Sequence, residues 1–175
     1  MNSPIAIDLA KSEDAQALLE IHAAAVHQTA APYYAQEILD NWSRLPITCD
    51  RIERVRHGWI EHPDRRVVVA RHSGQVVGFG FIHREGELQS LYVHPDHGRR
   101  GIGASLLARL EQEAMAWGLT HLRLNASINA EAFYRSQGFE VVGPGVYQLA
   151  SGLEMPCITM RKDLAPLTRP SGAEE

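Results

Sequence analysis

Cysteine is scarce: Cys49 and Cys157 are the only two in 175 residues. They stand far apart and outside any C-x-x-C spacing, which excludes a disulfide framework and a zinc ribbon and predicts a reducing, intracellular setting. A long hydrophobic run is missing as well. Nothing approaches the roughly 20 apolar residues that cross a bilayer as a helix. Residues 1–10 lack the basic start and apolar stretch of a signal peptide, so a cytoplasmic protein without a membrane partner is expected. An excess of basic residues is also missing. Lys and Arg number 17 against 21 Asp and Glu, net −4, which argues against a general nucleic-acid binder. The 45% apolar content suffices for one domain over residues 1–165, because a chain of this size buries about 70% of its unfolded surface. Pro166, Pro170, Ser171 and Gly172 predict a disordered tail over 166–175.

The small net charge hides an uneven distribution. Residues 1–40 carry six acids against Lys11, net −5, whereas 94–109 carry three arginines against Asp96, net +2. An acidic arm therefore precedes a basic turn.

Hydrophobic periodicity divides the chain into helical and extended stretches. Residues 5–9 suit a strand, and Ser12 followed by Glu13 and Asp14 suits a helix N-cap with acids in its first turn. Leu18, Ile21, His22, Ala25 and Val26 form the inward stripe of that helix. A second helix is expected over 35–42, and a third around Ile52, Val55, Trp59 and Ile60. From Arg66 the period shortens: strands at 67–70, 76–82 and 88–93, linked by Ser73-Gly74 and Glu85-Gly86, make an antiparallel meander. A long helix follows from Gly103 to Trp117. A strand at 122–125, a short helix at 129–136 that Asn129 would cap, and strands at 139–142 and 157–160 complete the chain.

The most informative stretch is Leu91-Tyr92-Val93-His94-Pro95-Asp96-His97-Gly98-Arg99-Arg100-Gly101-Ile102-Gly103-Ala104. It joins a strand end to a helix start through closely spaced glycines. Unpaired amides at a helix N-terminus attract anions, and glycines let a phosphate approach them. Arg99 and Arg100 add charge. A P-loop would need Gly-Lys-Ser/Thr, and a Rossmann fingerprint a third glycine where Leu106 stands. The stretch instead resembles motif A of the GNAT superfamily of N-acetyltransferases, Gln/Arg-x-x-Gly-x-Gly/Ala, with Gly101 and Gly103 at the two small positions. Gly98 departs from it, replacing the usual Gln or Arg. Downstream, Asn125-Ala126-Ser127-Ile128-Asn129-Ala130-Glu131-Ala132-Phe133-Tyr134-Arg135-Ser136-Gln137-Gly138-Phe139 is similar to motif B of the same family.

The resemblance implies an α/β fold of GNAT type, a mixed and mostly antiparallel sheet of six to seven strands, splayed at its centre and flanked by helices. It implies acetyl-CoA held by Leu91, Tyr92 and Val93, by Gly98, Arg99, Arg100, Gly101, Ile102, Gly103 and Ala104, and by Asn129 and Tyr134. The family's fourth strand bulges at the position of Leu91, whose amide would stabilise the oxyanion. An alkylammonium acceptor, with a pKa of about 10.4, must be deprotonated before it attacks a thioester. Glu87, eleven residues before Gly98, matches the family's general base, with His83, Glu85 and Glu154 as substitutes. Tyr134 matches the general acid. His27, Tyr33, Tyr34 and Trp42 fall where the family's first helices overhang the acceptor. His94, Asp96 and His97 are too few for a zinc site, and no metal is expected. The implied activity is direct acetyl transfer from acetyl-CoA to the primary amine of a small molecule. Acetylation of a protein N-terminus or lysine, and a noncatalytic acyl-CoA sensor, stand as alternatives. Homodimers are common in the family.

Overall fold

The run Val67–Ala70 is apolar at every position, and the structure shows why: the sheet it enters is covered on both faces. The structure, a computed structural model, describes residues 4–164; the tail expected at 166–175 lies outside the described residues. Strand β1 (Ile5–Leu9) leads into helix α1 (Ala15–Ala24), which widens into a π-helical segment over Ala25–Ala30. Helices α2 (Gln36–Trp42) and α3 (Cys49–Val55) follow, the latter also continuing as a π-helical segment, Arg56–Ile60. Then come β2 (Arg65–His72), β3 (Gln75–His83), β4 (Leu88–Val93) and the long helix α4 (Ile102–Ala116). Strand β5 (His121–Ala126), helix α5 (Glu131–Ser136) and strands β6 (Glu140–Gln148) and β7 (Glu154–Asp163) close the described chain.

The seven strands form a four-stranded sheet, β1-β2-β3-β4, and a three-stranded sheet, β5-β7-β6. Every ladder is antiparallel, and a lone parallel bridge between Glu87 and Arg123 joins the two sheets. There the Arg123 amide donates to the Gly86 carbonyl at 2.9 Å. Beyond that point β4 and β5 diverge, which is the expected central splay. Strand β6 runs well past the residues expected for it. Among the described residues it pairs with β7 alone, so its outer edge tolerates Pro144, and the register shift between Val141 and Gly143 absorbs the irregularity.

Alternate residues of β2 serve opposite layers. Val68 and Ala70 pack with Ile102, Leu106, Leu107 and Leu110 of α4, while Val67 and Val69 pack with Leu18, Ile21, Phe79 and Phe81 on the α1 and α3 side. Helix α4 lies close to the sheet because β3 carries Gly80 beneath it. A Cβ there would stand 2.9 Å from Leu110 Cδ1, Leu91 Cδ1 and the Ser90 carbonyl. A third cluster, of Val26, Ala30, Tyr34, Leu39, Leu149 and Met155, ties the N-terminal helices to the second sheet.

Ser12 does not cap α1. Its hydroxyl donates to Glu61 Oε1 at 2.6 Å, and it is Asp14 that accepts from the Lys11 amide at 2.7 Å. Asp14, 5% exposed, also receives a bidentate Arg71 guanidinium at 3.0 and 2.8 Å. Asp14→Ala should lower the unfolding free energy in a urea titration by about 2 kcal/mol, since Arg71 is left without its fork partner. An unchanged midpoint would mean that the pair is only decorative.

Candidate active site

The edge of β4 that faces the splay carries free backbone groups. The His94 amide donates to the Val77 carbonyl at 2.8 Å, so amides pointing toward β3 alternate through Tyr92 and Ser90. The amides of Leu91 and Val93 point the opposite way, into the gap between the sheets. The strand irregularity lies not at Leu91 but at Gln89, where the register slips between Phe81 and Ile82. It turns this edge outward just upstream of Leu91.

Next to that edge, the turn after β4 delivers a helix N-terminus. Gly101 holds φ at 75°, a left-handed conformation that favours glycine, and α4 starts at the next residue with no acid in its first turn. The first turn of this 15-residue helix therefore supplies no side-chain anion to balance its positive end. Gly103 lets Phe133 come close: a Cβ would sit 3.3 Å from its ring. A cavity of about 440 Å³ lies here, lined by Leu91, Val93, Gly98, Arg99, Gly101, Ile102, Gly103, Ala104, Asn129 and Tyr134 among others. Arg100 is exposed and lies outside this lining. Asn129 does not cap α5. It sits in the turn before the helix, and its Oδ1 is buried without a partner among the described residues, an acceptor available to a ligand.

A second cavity, of about 340 Å³, opens on the other side of β4, where the linings include His22, Trp42, Trp59, Arg65, Phe81, Glu87, Tyr92, Tyr147 and Met155. The two cavities share Leu91, Ala130 and Tyr134. Tyr134 is 7% exposed, and burial raises its pKa, so its hydroxyl remains protonated and able to donate. Burial raises Tyr92 in the same way. His22 packs edge-on to Tyr92 at 4.8 Å and to Trp42 at 6.2 Å. Burial, and then the nearby Arg51, lower its pKa to about 4, so the imidazole is neutral through the physiological range.

The residues expected at the site are only partly brought together. Glu87 lines the second cavity, with Gln89 Nε2 donating to its Oε2 at 3.4 Å, whereas His83, Glu85 and Glu154 lie outside the lining. Trp42 lines the cavity too. His27 instead donates from Nε2 to the Ser43 carbonyl at 2.8 Å, and Tyr33 is 53% exposed. The Tyr34 hydroxyl donates to the Pro156 carbonyl at 2.9 Å and accepts from the Ile128 amide at 2.8 Å, so it clamps the first helices onto the second sheet. The acids of the N-terminal arm also stand outside the cavity, and Asp14 is held by Arg71. In the turn, His94 Nδ1 accepts from the Asp96 amide at 3.3 Å. Among the described residues no three His, Cys, Asp or Glu side chains assemble as metal ligands. His22, Trp59, Arg65, Phe81 and Tyr147 were not singled out from the sequence as site residues. They come from separate elements, with no local motif that joins them.

This architecture has counterparts. The family model for the acetyltransferase (GNAT) domain matches residues 32–164. The IAA acetyltransferase of Azospirillum brasilense is 42% identical over 90 residues, which cover 47% of this chain and 59% of that relative. Among solved structures, a GCN5-related N-acetyltransferase from Rhodopseudomonas palustris superposes with a TM-score of 0.81 at 27% identity, covering 94% of this chain and 98% of that one. The yncA protein of Salmonella typhimurium, solved with its cofactor acetyl-CoA, gives 0.69 at 25% identity over 98% of this chain and 100% of the other. With a family model that spans residues 32–164 and a solved relative that covers nearly the whole chain, the chain belongs to the GNAT acetyltransferases, acyltransferases that depend on acetyl-CoA.

Proposed function

We propose that this chain moves an acetyl group from acetyl-CoA to the primary amine of a small molecule, by direct attack within a ternary complex. The observation that carries the reading is the meeting of two cavities at Leu91 and Tyr134, one at a helix N-terminus and the other beside Glu87. The α4 amides of Ile102, Gly103 and Ala104, with Arg99 nearby, suit the pyrophosphate, and the outward amides of Leu91 and Val93 suit the pantetheine arm. Asn129 Oδ1 is free to accept from that arm.

Glu87 removes a proton from the ammonium group, directly or through a bridging water. The nitrogen lone pair then forms the C–N bond at the thioester carbonyl carbon, and the Leu91 amide donates to the resulting oxyanion. Collapse breaks the C–S bond: the Tyr134 hydroxyl proton passes to the departing sulfur, the phenolate takes up the remaining excess proton of the amine nitrogen, and Glu87 releases its proton to solvent. The products are the amide, free CoA thiol and one proton. Both free cysteines, Cys49 and Cys157, suit a reducing compartment such as the cytoplasm. A panel of small amines with acetyl-CoA, read by released thiol, tests this function. Turnover of at least one amine, but not of peptide N-termini or lysines, is the expected result. Tight acetyl-CoA binding without turnover of anything would replace it with a noncatalytic sensor.

A further inference from the structure

Among the described residues, the acceptor cavity is lined by one acid, Glu87, and one permanent cation, Arg65. Deprotonating an amine uses the first and leaves the second without a task. Arg65 opens β2, and its Nη1 donates to the Gly58 carbonyl. Its Cζ lies 5.7 Å from the Phe81 ring centroid, and its Nε is buried with no hydrogen-bond partner among the described residues. Desolvation works against the charge, while Glu87 and Tyr147 favour it through space. A guanidinium keeps its proton regardless. A buried N–H without an acceptor is costly, and a planar anion accepted along the Nε–Nη2 edge relieves that cost with bidentate geometry.

The remaining walls narrow the choice. Trp42, Trp59, Phe81, Tyr92 and Tyr147 are aromatic, and His22 among them is neutral. One fixed cation and one fixed anion give the cavity no net charge, complementary to a zwitterion and unsuited to a polyamine. About 340 Å³ is room for a single-ring or indole-sized molecule. We infer that the acceptor is a small aromatic amino carboxylate, its carboxylate seated on Arg65, its ring on the aromatic wall and its amine directed to the thioester. This inference rests on the acetyltransfer proposed above and adds the substrate class.

The test compares kcat/KM for phenylalanine with that for phenylalaninamide and phenethylamine, which lack the carboxylate. Fluorescence of Trp42 and Trp59 titrated with the same compounds supplies a binding readout independent of turnover. The amino acid should be preferred by about 30-fold in both measurements, as expected when a buried cation loses its partner. Arg65→Met should narrow the gap to within about threefold. Arg65→Lys, which keeps the charge but not the fork, should retain an intermediate preference. Equal use of all three compounds by the wild-type protein, or a preference that survives in Arg65→Met, overturns the inference and leaves acetyl transfer standing. Absence of turnover with every amine despite intact acetyl-CoA binding removes both.

Discussion

Tyr134→Phe lowers kcat by about 100- to 1000-fold while the Kd for acetyl-CoA stays within about twofold. The substitution removes one oxygen from a ring whose packing it keeps. That ring stands edge-on to Phe133 at 5.2 Å and to Phe139 at 5.5 Å, contacts that phenylalanine reproduces. Burial raises the hydroxyl's pKa, so it stays protonated and able to donate. A raised pKa makes the phenol a weaker acid, yet the same desolvation makes the departing thiolate a stronger base, and proton transfer between them stays matched. Without the donor, the thiolate must leave as an anion beside a buried ring that offers it no proton. Stopped-flow thiol release and equilibrium titration with acetyl-CoA separate the two quantities. Unchanged turnover would mean that the hydroxyl plays no part in the chemistry, and a Kd raised in step with the fall in kcat would assign it to binding.

The donor side of this site was legible in the sequence because its chemistry lives in the backbone. A strand end, a glycine turn and a helix start are consecutive, so Leu91 to Ala104 could be read as one unit, and nine of its fourteen residues line one cavity. Of the base and overhang residues expected around an acceptor, only Glu87 and Trp42 line the second cavity. His22 comes from α1, Trp59 from the π-helical segment after α3, Arg65 from the first residue of β2 and Tyr147 from β6. No local pattern links residues that meet only after two sheets and three helices have docked. The π-helical segments were equally invisible. Each continues a regular helix whose hydrophobic stripe is already correct, and the wider turn only redirects the chain. Tyr34 illustrates the limit: next to Tyr33 it suggested a pocket residue, but its hydroxyl joins segments 94 and 122 positions away. Gln89 shows the converse, since the one-residue slip of β4 against β3 leaves no trace in the alternation of Leu88 to Val93.

Glu87→Gln should reduce kcat/KM for an alkylamine by about 100-fold near pH 7, and the deficit should shrink steadily as pH rises toward the acceptor's own pKa of about 10. The reason is specific to a base. At neutral pH only about one amine in a thousand is unprotonated, so the carboxylate supplies most of the reactive form at the site. Once solvent supplies it, the carboxylate becomes redundant. Glutamine keeps the side-chain length and the hydrogen bond that Gln89 Nε2 donates at 3.4 Å, now to an amide oxygen, so the cavity floor is preserved. It removes the charge that favours the Arg65 guanidinium, which predicts a second, separable effect. An amino carboxylate bound to Arg65 should lose less KM than kcat, because the freed guanidinium meets the substrate carboxylate without a competing anion. A deficit that holds constant across pH would mean that Glu87 orients the amine and takes no proton. A loss confined to KM would mean that it serves only as the ammonium group's counter-ion.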